Sequence, residues 1–286
     1  MAPPERTGRH LLCFGLGYTA RALAERLADR GWRVSGTSRN PQEPDTLRFD
    51  RDHPLGSAGF AGATHILVSI PPDGAGDPVL DRHGDDIATL PGLAWLGYLS
   101  TTGVYGDRAG GWVDERSELR PSGARGRRRV AAEAGWQDLR RRRGVPLHIF
   151  RLAGIYGPGR SPFDALRAGK ARRIDKPGQV FSRIHVEDLA SVLVASITRP
   201  RAGAIYNVCD DDPAAPAAVV AHAASLLRLP EPPLVPFASA GLSPMAKSFY
   251  DDNKRVSNAL IKEELGIVLR QPNYRDGLAA ILAAGG

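Results

Sequence analysis

An apolar strand pattern, His10 to Phe14, runs directly into Gly15-Leu16-Gly17-Tyr18-Thr19-Ala20, and this turn restricts the fold more than any other stretch of the chain. Ala20, Leu23, Ala24 and Leu27 then recur at helical spacing until Gly31 ends the run. A strand, a tight turn and a helix are predicted in that order. Each small residue has a steric task. Gly15 permits the turn, Gly17 lets the main chain approach a pyrophosphate, and Ala20 lets the helix pack close to the strand. Tyr18 lies in the same turn, where the helix amino end faces the anion. Strand before and amphipathic helix after give the motif the context that dinucleotide binding requires.

The downstream pattern extends the same architecture. Trp32 to Ser38 reads as a second strand, Thr46 to Phe49 as a short third and Thr64 to Ile70 as a continuous apolar fourth. After a helix pattern around Val79 to Thr89, the apolar stretch Leu93 to Leu99 delivers Ser100-Thr101-Thr102-Gly103-Val104-Tyr105-Gly106 at its carboxyl end, the edge where open α/β sheets bind ligands. A helix from about Arg127 to Arg143 and a sixth strand, Val145 to Leu152, follow. The expected fold is therefore α/β, a Rossmann-type doubly wound parallel sheet over residues 1–158. Residues 159–183 and 209–286 are expected to form a smaller mixed α/β substrate lobe, because proline density there breaks the regular alternation. Residues 184–208, with a helix at Ile184 to Ile197 and a strand at Ala204 to Val208, are expected to return to the first domain. Met1 to Arg9, polar and without periodicity, read as a loose tail.

With 286 residues, the chain can bury one large core and an appended lobe without disulfides. Cys13 lies in a strand pattern and Cys209 near a distant acidic turn, so both are expected to be buried, inert thiols. No apolar run approaches the roughly 18 residues of a membrane span, and no signal peptide heads the sequence, so a cytoplasmic protein with no membrane association is expected. The net charge of +7 arises partly from two basic runs, Arg125 to Arg129 and Arg140 to Arg143. Neither contains interleaved aromatics, so nucleic acid is not the expected partner. The seven histidines are scattered without ligand spacing, and no metal is expected.

A site that prefers NAD places Asp or Glu about 20 residues after the glycine turn, where it accepts from the ribose hydroxyls. This chain has Thr37-Ser38-Arg39 there. No acid repels a 2′-phosphate, and Arg39 can pair with one, beside Ser38. NADP is therefore favoured over NAD as the cofactor.

Five ordered stretches together resemble the extended short-chain dehydrogenase/reductase family of the NAD-dependent epimerase/dehydratase type. They are the glycine turn, Leu99 to Gly106, Arg151 to Gly159 (RLAGIYGPG), Ile184 to Asp188 (IHVED), and Tyr206-Asn207-Val208. The resemblance implies that Thr101 supplies the hydroxyl that positions substrate. It also implies a Tyr-x-x-x-Lys pair on the following helix, and here the chain departs from the pattern. With Pro121 and Glu133 aligned, Arg125 takes the tyrosine place and Arg129 the lysine place. Arginine has no acceptor and does not release its proton, so it cannot relay protons during hydride transfer.

Two readings of the arginines stand. They are either fixed cations for a carboxylate, phosphate or developing enolate, or exposed residues in pairs such as Arg129 with Glu133. Tyr105, four residues after Thr101, is the best candidate for a substitute acid, although such a tyrosine is more often a packed aromatic. In the resembling enzymes the basic stretch before I-H-V-E-D contacts the diphosphate of a nucleotide sugar, which assigns Lys176 and Arg183 to an anionic small-molecule substrate. His185 is expected to be structural. Related folds lead one to expect a homodimer through helices flanking the sheet. Two functions remain open: an atypical NADP(H)-dependent epimerase, dehydratase or reductase, and a catalytically silent NADP(H)-binding sensor.

Overall fold

The computed structural model describes residues 8–43 and 46–285, so positions 1–7 of the expected loose tail lie outside the described residues. Seven strands form the central sheet: β1 (His10–Phe14), β2 (Arg33–Ser38), β3 (Thr46–Arg48), β4 (His65–Val68), β5 (Trp95–Thr101), β6 (Leu147–Leu152) and β7 (Ile205–Val208). Their spatial order is β7-β6-β5-β4-β1-β2-β3. The pairs β3 with β2, β2 with β1, β1 with β4 and β4 with β5 are parallel. Every residue of β1, β4 and β6 is buried, which explains their largely apolar sequences: both faces of the sheet are covered. The expected Rossmann-type doubly wound α/β fold is the one observed.

This order fixes where a ligand can bind. The chain winds outward from β1 through β2 to β3, then lays β4 against the other side of β1. The winding reverses between β1 and β4, and beyond the carboxyl ends of those strands such sheets hold their ligands. The glycine turn leaves β1 at that point.

Four helices flank the sheet: α1 (Tyr18–Ala28), α2 (Pro78–Ala88), α3 (Ala124–Arg143) and α4 (Val186–Thr198). The Asp77 carboxylate starts α2 by accepting from the N–H groups of Val79 and Leu80, each at 3.0 Å, with Pro78 in the first turn. α2 and α3 pack tightly, since a β-carbon on Gly135 would stand 2.7 Å from Leu80 Cδ2. Their apolar sides join Leu12, Phe14, Ile66 and Val68 in one core through Val79, Ile87, Trp136 and Leu139. Leu11 and Cys13, one step out of phase along β1, are also fully buried. α1 and α4 adjoin, with Arg26 Nη1 donating to Ser191 Oγ at 3.0 Å. α3 begins three residues earlier than its apolar pattern predicts, because its first turn, Ala124 to Arg127, carries no large apolar side chain to mark it.

The chain divides into two compact units. One comprises residues up to Ser100 together with 128–151 and 190–206, and the other 101–127, 152–189 and 207–286. The second unit has its own core, in which Phe163, Leu166, Val219, Ala223, Leu278 and Ile281 meet. Its helices Pro162–Arg167, Pro216–Leu226 and Pro244–Tyr250 each begin with proline, which suits the first helical position. Three short parallel strand pairs accompany them: Gly154–Tyr156 with Arg183–His185, Arg173–Asp175 with Leu234–Pro236, and Trp112–Val113 with Arg255–Val256.

In the first unit one buried ion pair locks α3 to the sheet. Glu133 and Arg151 are 1% and 3% exposed, and their shortest contact, Arg151 Nη2 to Glu133 Oε2, is 2.8 Å. Ser100 donates to the same carboxylate at 2.5 Å. Removing one partner strands a buried charge. Glu133→Ala is therefore expected to lower the stability measured in urea by about 3–5 kcal/mol, while the double variant Glu133→Leu/Arg151→Met recovers most of that loss. A double variant as unstable as the single one would show that the cost is not one of uncompensated charge.

Candidate functional site

Gly15 ends β1 with a φ of +90°, a conformation that strains any residue bearing a side chain. A β-carbon there would also stand 2.7 Å from Ser69 Oγ and 2.9 Å from Ile70 Cγ1. Gly17 is the opposite case, since nothing lies within 4 Å of where its β-carbon would be. It caps α1 in an extended conformation and, as glycine, supplies no capping side chain. A helix start of this kind, with a glycine cap, suits the approach of an anion. Ala20 is fully buried behind them, and Tyr18 is half-buried in the first helical turn.

The end of β2 meets this turn. Thr37 is fully buried, and its Oγ1 accepts from the Gly15 N–H at 3.0 Å. Its carbonyl accepts from the Leu16 N–H at 2.9 Å. Ser38 follows, half-buried, with its hydroxyl oxygen accepting from the Asn40 N–H at 3.2 Å. Arg39 is exposed and makes no ion pair among the described residues.

The second unit holds the hydroxyl turn. Thr101, half-buried, begins the 3₁₀ turn Thr102–Tyr105 by accepting from the Gly103 N–H at 3.1 Å. Tyr105 is fully buried and donates its hydroxyl to Asn207 Oδ1 at 2.7 Å. Asn207 in turn donates its main-chain N–H to Glu115 Oε1 at 2.7 Å. Tyr105 therefore sits as a packed, hydrogen-bonded aromatic. A β-carbon on Gly126 would stand 2.8 Å from the Gly103 carbonyl oxygen, so the start of α3 rests on the hydroxyl turn.

The two arginines at the family's tyrosine and lysine places differ in their surroundings. Arg129 donates to the Leu99 carbonyl at 2.6 Å and to the Tyr98 hydroxyl at 3.1 Å, and its guanidinium lies 5.5 Å over the Tyr98 ring. It secures the end of β5. Arg125 is exposed and lies 5.4 Å over the ring of Phe249, with no hydrogen bond or ion pair among the described residues. The alternative pairing of Arg129 with Glu133 is not found, because Arg151 and Ser100 already occupy that carboxylate.

The basic stretch is likewise committed. Lys176 donates to the Tyr250 carbonyl and lies 5.3 Å over the Phe237 ring. Arg183 donates to the carbonyls of Phe181 at 2.8 Å and Ala214 at 3.0 Å. Arg172 donates to the Ala240 carbonyl at 2.9 Å. The structure thus does not present Lys176 and Arg183 as open cations. Beside Arg183, Asp210 is 1% exposed and its Oδ2 has no hydrogen-bond partner. Burial pushes its carboxyl up to about 8, with Arg183 pulling in the opposite direction. His185 is buried edge-on to Tyr156, its ring centroid 5.2 Å away, and its Nδ1 accepts from the Glu187 N–H at 3.3 Å. Burial lowers its basicity. Cys13 and Cys209 are free and buried, and burial raises both thiols, Cys13 to about 12. No helix among the described residues is long and apolar enough to cross a membrane.

Sequence reasoning missed Thr37 and Ser69 as partners of the turn, Asp210 as a buried acid, and Phe249 as the neighbour of Arg125. Only Phe249 left a signal, the apolar i,i+4 pair it makes with Met245, and both side chains are more than half exposed.

Comparison with known proteins places these features in a lineage. The model of the NAD dependent epimerase/dehydratase family matches residues 92–209. Protein YeeZ of Escherichia coli (strain K12) is 30% identical over 240 residues, covering 77% of this chain and 84% of YeeZ. A solved structure of a functionally unknown conserved protein from Silicibacter pomeroyi DSS is 55% identical with a TM-score of 0.90, over 96% of this chain and 99% of that one. MoeE5, solved in complex with UDP-glucuronic acid and NAD, shares the fold at 20% identity and a TM-score of 0.81, over 96% of this chain and 98% of that one.

Asp210 gives a pH test. An acid whose pKa is raised on folding favours the fold fully below its unfolded value of 3.8, and that contribution is lost as pH rises through about 8. Wild-type protein is expected to lose stability relative to Asp210→Asn between about pH 4 and pH 8, read by thermal unfolding across the range. Parallel pH profiles for the two proteins would refute a buried, proton-bearing Asp210.

Proposed function

The chain belongs to the NAD-dependent epimerase/dehydratase family, and from that membership we propose that it binds NADP(H) and acts on an anionic small molecule without the Tyr-x-x-x-Lys pair. The unit carrying the glycine turn is the dinucleotide domain and the unit carrying the hydroxyl turn is the substrate lobe. The start of α1 fits a pyrophosphate: Gly17 leaves its approach open and supplies no capping side chain. When bound, the cofactor supplies hydride transfer. Arg39, exposed and unpaired among the described residues, supports a 2′-phosphate contact, and Thr37-Ser38-Arg39 contains no acid to oppose it.

Arg125 carries the reading for substrate. The first turn of α3 has no acidic residue and holds cations instead, an arrangement that opposes the helix dipole at a cost of roughly 0.3–1 kcal/mol per charge. The ring of Phe249 is the partner of Arg125, so its planar fork of donors stays available to a carboxylate or phosphate. Thr101 Oγ1 already accepts from Gly103, which leaves its own proton to donate to a substrate oxygen. A nucleotide sugar, the kind of ligand bound to MoeE5, fits this demand for an anion. The reaction class is an epimerisation, dehydration or reduction.

A second reading, a silent NADP(H) sensor, is favoured by one observation. Tyr105, the substitute acid, is fully buried with its hydroxyl committed to Asn207.

Two experiments test these readings. In dinucleotide titrations, Arg39→Ala is expected to weaken NADPH roughly 10- to 100-fold and leave NADH unchanged, the effect of one charge-assisted contact. An unchanged preference removes the phosphate contact. With NADPH or NADP and a panel of nucleotide sugars and keto acids, turnover should fall in Thr101→Ala and Arg125→Ala. Turnover that survives both substitutions sinks the site, and a panel without any turnover leaves the sensor.

A further inference from the structure

The glycine turn does not hold its shape by glycine alone. Two hydroxyl residues, Thr37 in β2 and Ser69 just past β4, hold the peptides on either side of Gly15. Thr37, at the end of β2, accepts the Gly15 N–H through Oγ1 at 3.0 Å and the Leu16 N–H through its carbonyl at 2.9 Å. Ser69, directly after β4, donates its hydroxyl to the Gly15 carbonyl at 2.5 Å, and its main-chain N–H donates to the Phe14 carbonyl at 2.9 Å. The peptide before Gly15 is held at its N–H by Thr37 and at its C=O by Ser69, and so is the peptide after it. Gly36 completes the seat: a β-carbon there would stand 2.7 Å from Leu16 Cβ, so the turn lies directly on β2.

A glycine with a φ of +90° has many accessible conformations and little intrinsic reason to keep this one. Rotation of either peptide would redirect the chain into Gly17 and the start of α1, whose N–H groups must point at the ligand. Holding those groups in place before binding removes an ordering cost that the ligand would otherwise meet. We propose that Thr37 and Ser69 are positioning residues for a dinucleotide, a hydroxyl clamp that presets the phosphate-facing amides without touching the phosphates themselves. This rests on the dinucleotide reading given above. The burial of Thr37, fully inside the first unit, separates its role from that of the exposed Arg39, which reads the cofactor's 2′-position.

The test uses the full chain, with NADPH and NADH titrated by nicotinamide fluorescence and amide hydrogen exchange followed in the ligand-free protein. Thr37→Val keeps the side-chain shape and deletes the acceptor; Thr37→Ser restores it; Ser69→Ala deletes the second contact. Thr37→Val and Ser69→Ala are expected to weaken both dinucleotides roughly tenfold or more and to speed exchange at Gly15 and Leu16, while Thr37→Ser stays near wild type. A purely structural role would lower the unfolding temperature without that localised exchange. Wild-type affinity in Thr37→Val, or unchanged exchange at Gly15, overturns the clamp. Should Thr37→Val fail to fold, wild-type affinity and exchange in Ser69→Ala overturn it instead. Wild-type protein that binds neither dinucleotide refutes the dinucleotide reading itself, and the clamp's role with it, an outcome distinct from variants that bind as wild type does.

Discussion

The buried pair of Glu133 and Arg151, with Ser100 on the same carboxylate, sets the rotation of α3 against the sheet. A buried ion pair of this kind adds little net stability compared with apolar residues of the same volume, yet it tolerates almost no misplacement of either partner. Turning α3 about its axis would leave two charges without solvent or partner. The face that Arg129 presents to Leu99 and Tyr98 is therefore fixed by a contact one turn further along the helix. That explains how a helix so rich in arginine packs with its polar sequence intact: its one buried acid has a buried cation waiting on β6.

Charge elsewhere follows the same logic on a smaller scale. Lys176, Arg172 and Arg183 each satisfy a main-chain carbonyl in the second unit, so this lobe uses cations as braces for irregular chain. Arg125 differs in kind, being stacked on an aromatic ring and bonded to no carbonyl or carboxylate among the described residues. The contrast separates basic residues that brace main-chain carbonyls from one held only against an aromatic ring.

The sheet was legible in the sequence because its signal is local. Short, largely apolar runs at β1, β4 and β6, bounded by turns, read as strands buried on both faces, and the glycine turn marks the first crossover by its own steric needs. What the sequence concealed was partnership across distance. Periodicity pointed Arg129 to Glu133, four residues on, whereas Glu133 pairs with Arg151 on a strand. Lys176 finds its carbonyl at Tyr250, and Tyr105 finds Asn207, separations no spacing rule spans. Thr37 was read only as the neighbour of Arg39, because a hydroxyl's acceptor role depends on which N–H the fold brings above it. In the second unit prolines that looked like interruptions turned out to begin helices.

Arginine at the tyrosine place also changes how the region responds to its surroundings. A phenol flanked by an ammonium group alters its charge with acidity, so a site built on it is switched by the medium. A guanidinium keeps its charge throughout the range in which cells live. On the proposal that Arg125 receives the substrate, any ionisation that governs recognition there belongs to the arriving molecule, and the form bound is the one already an anion.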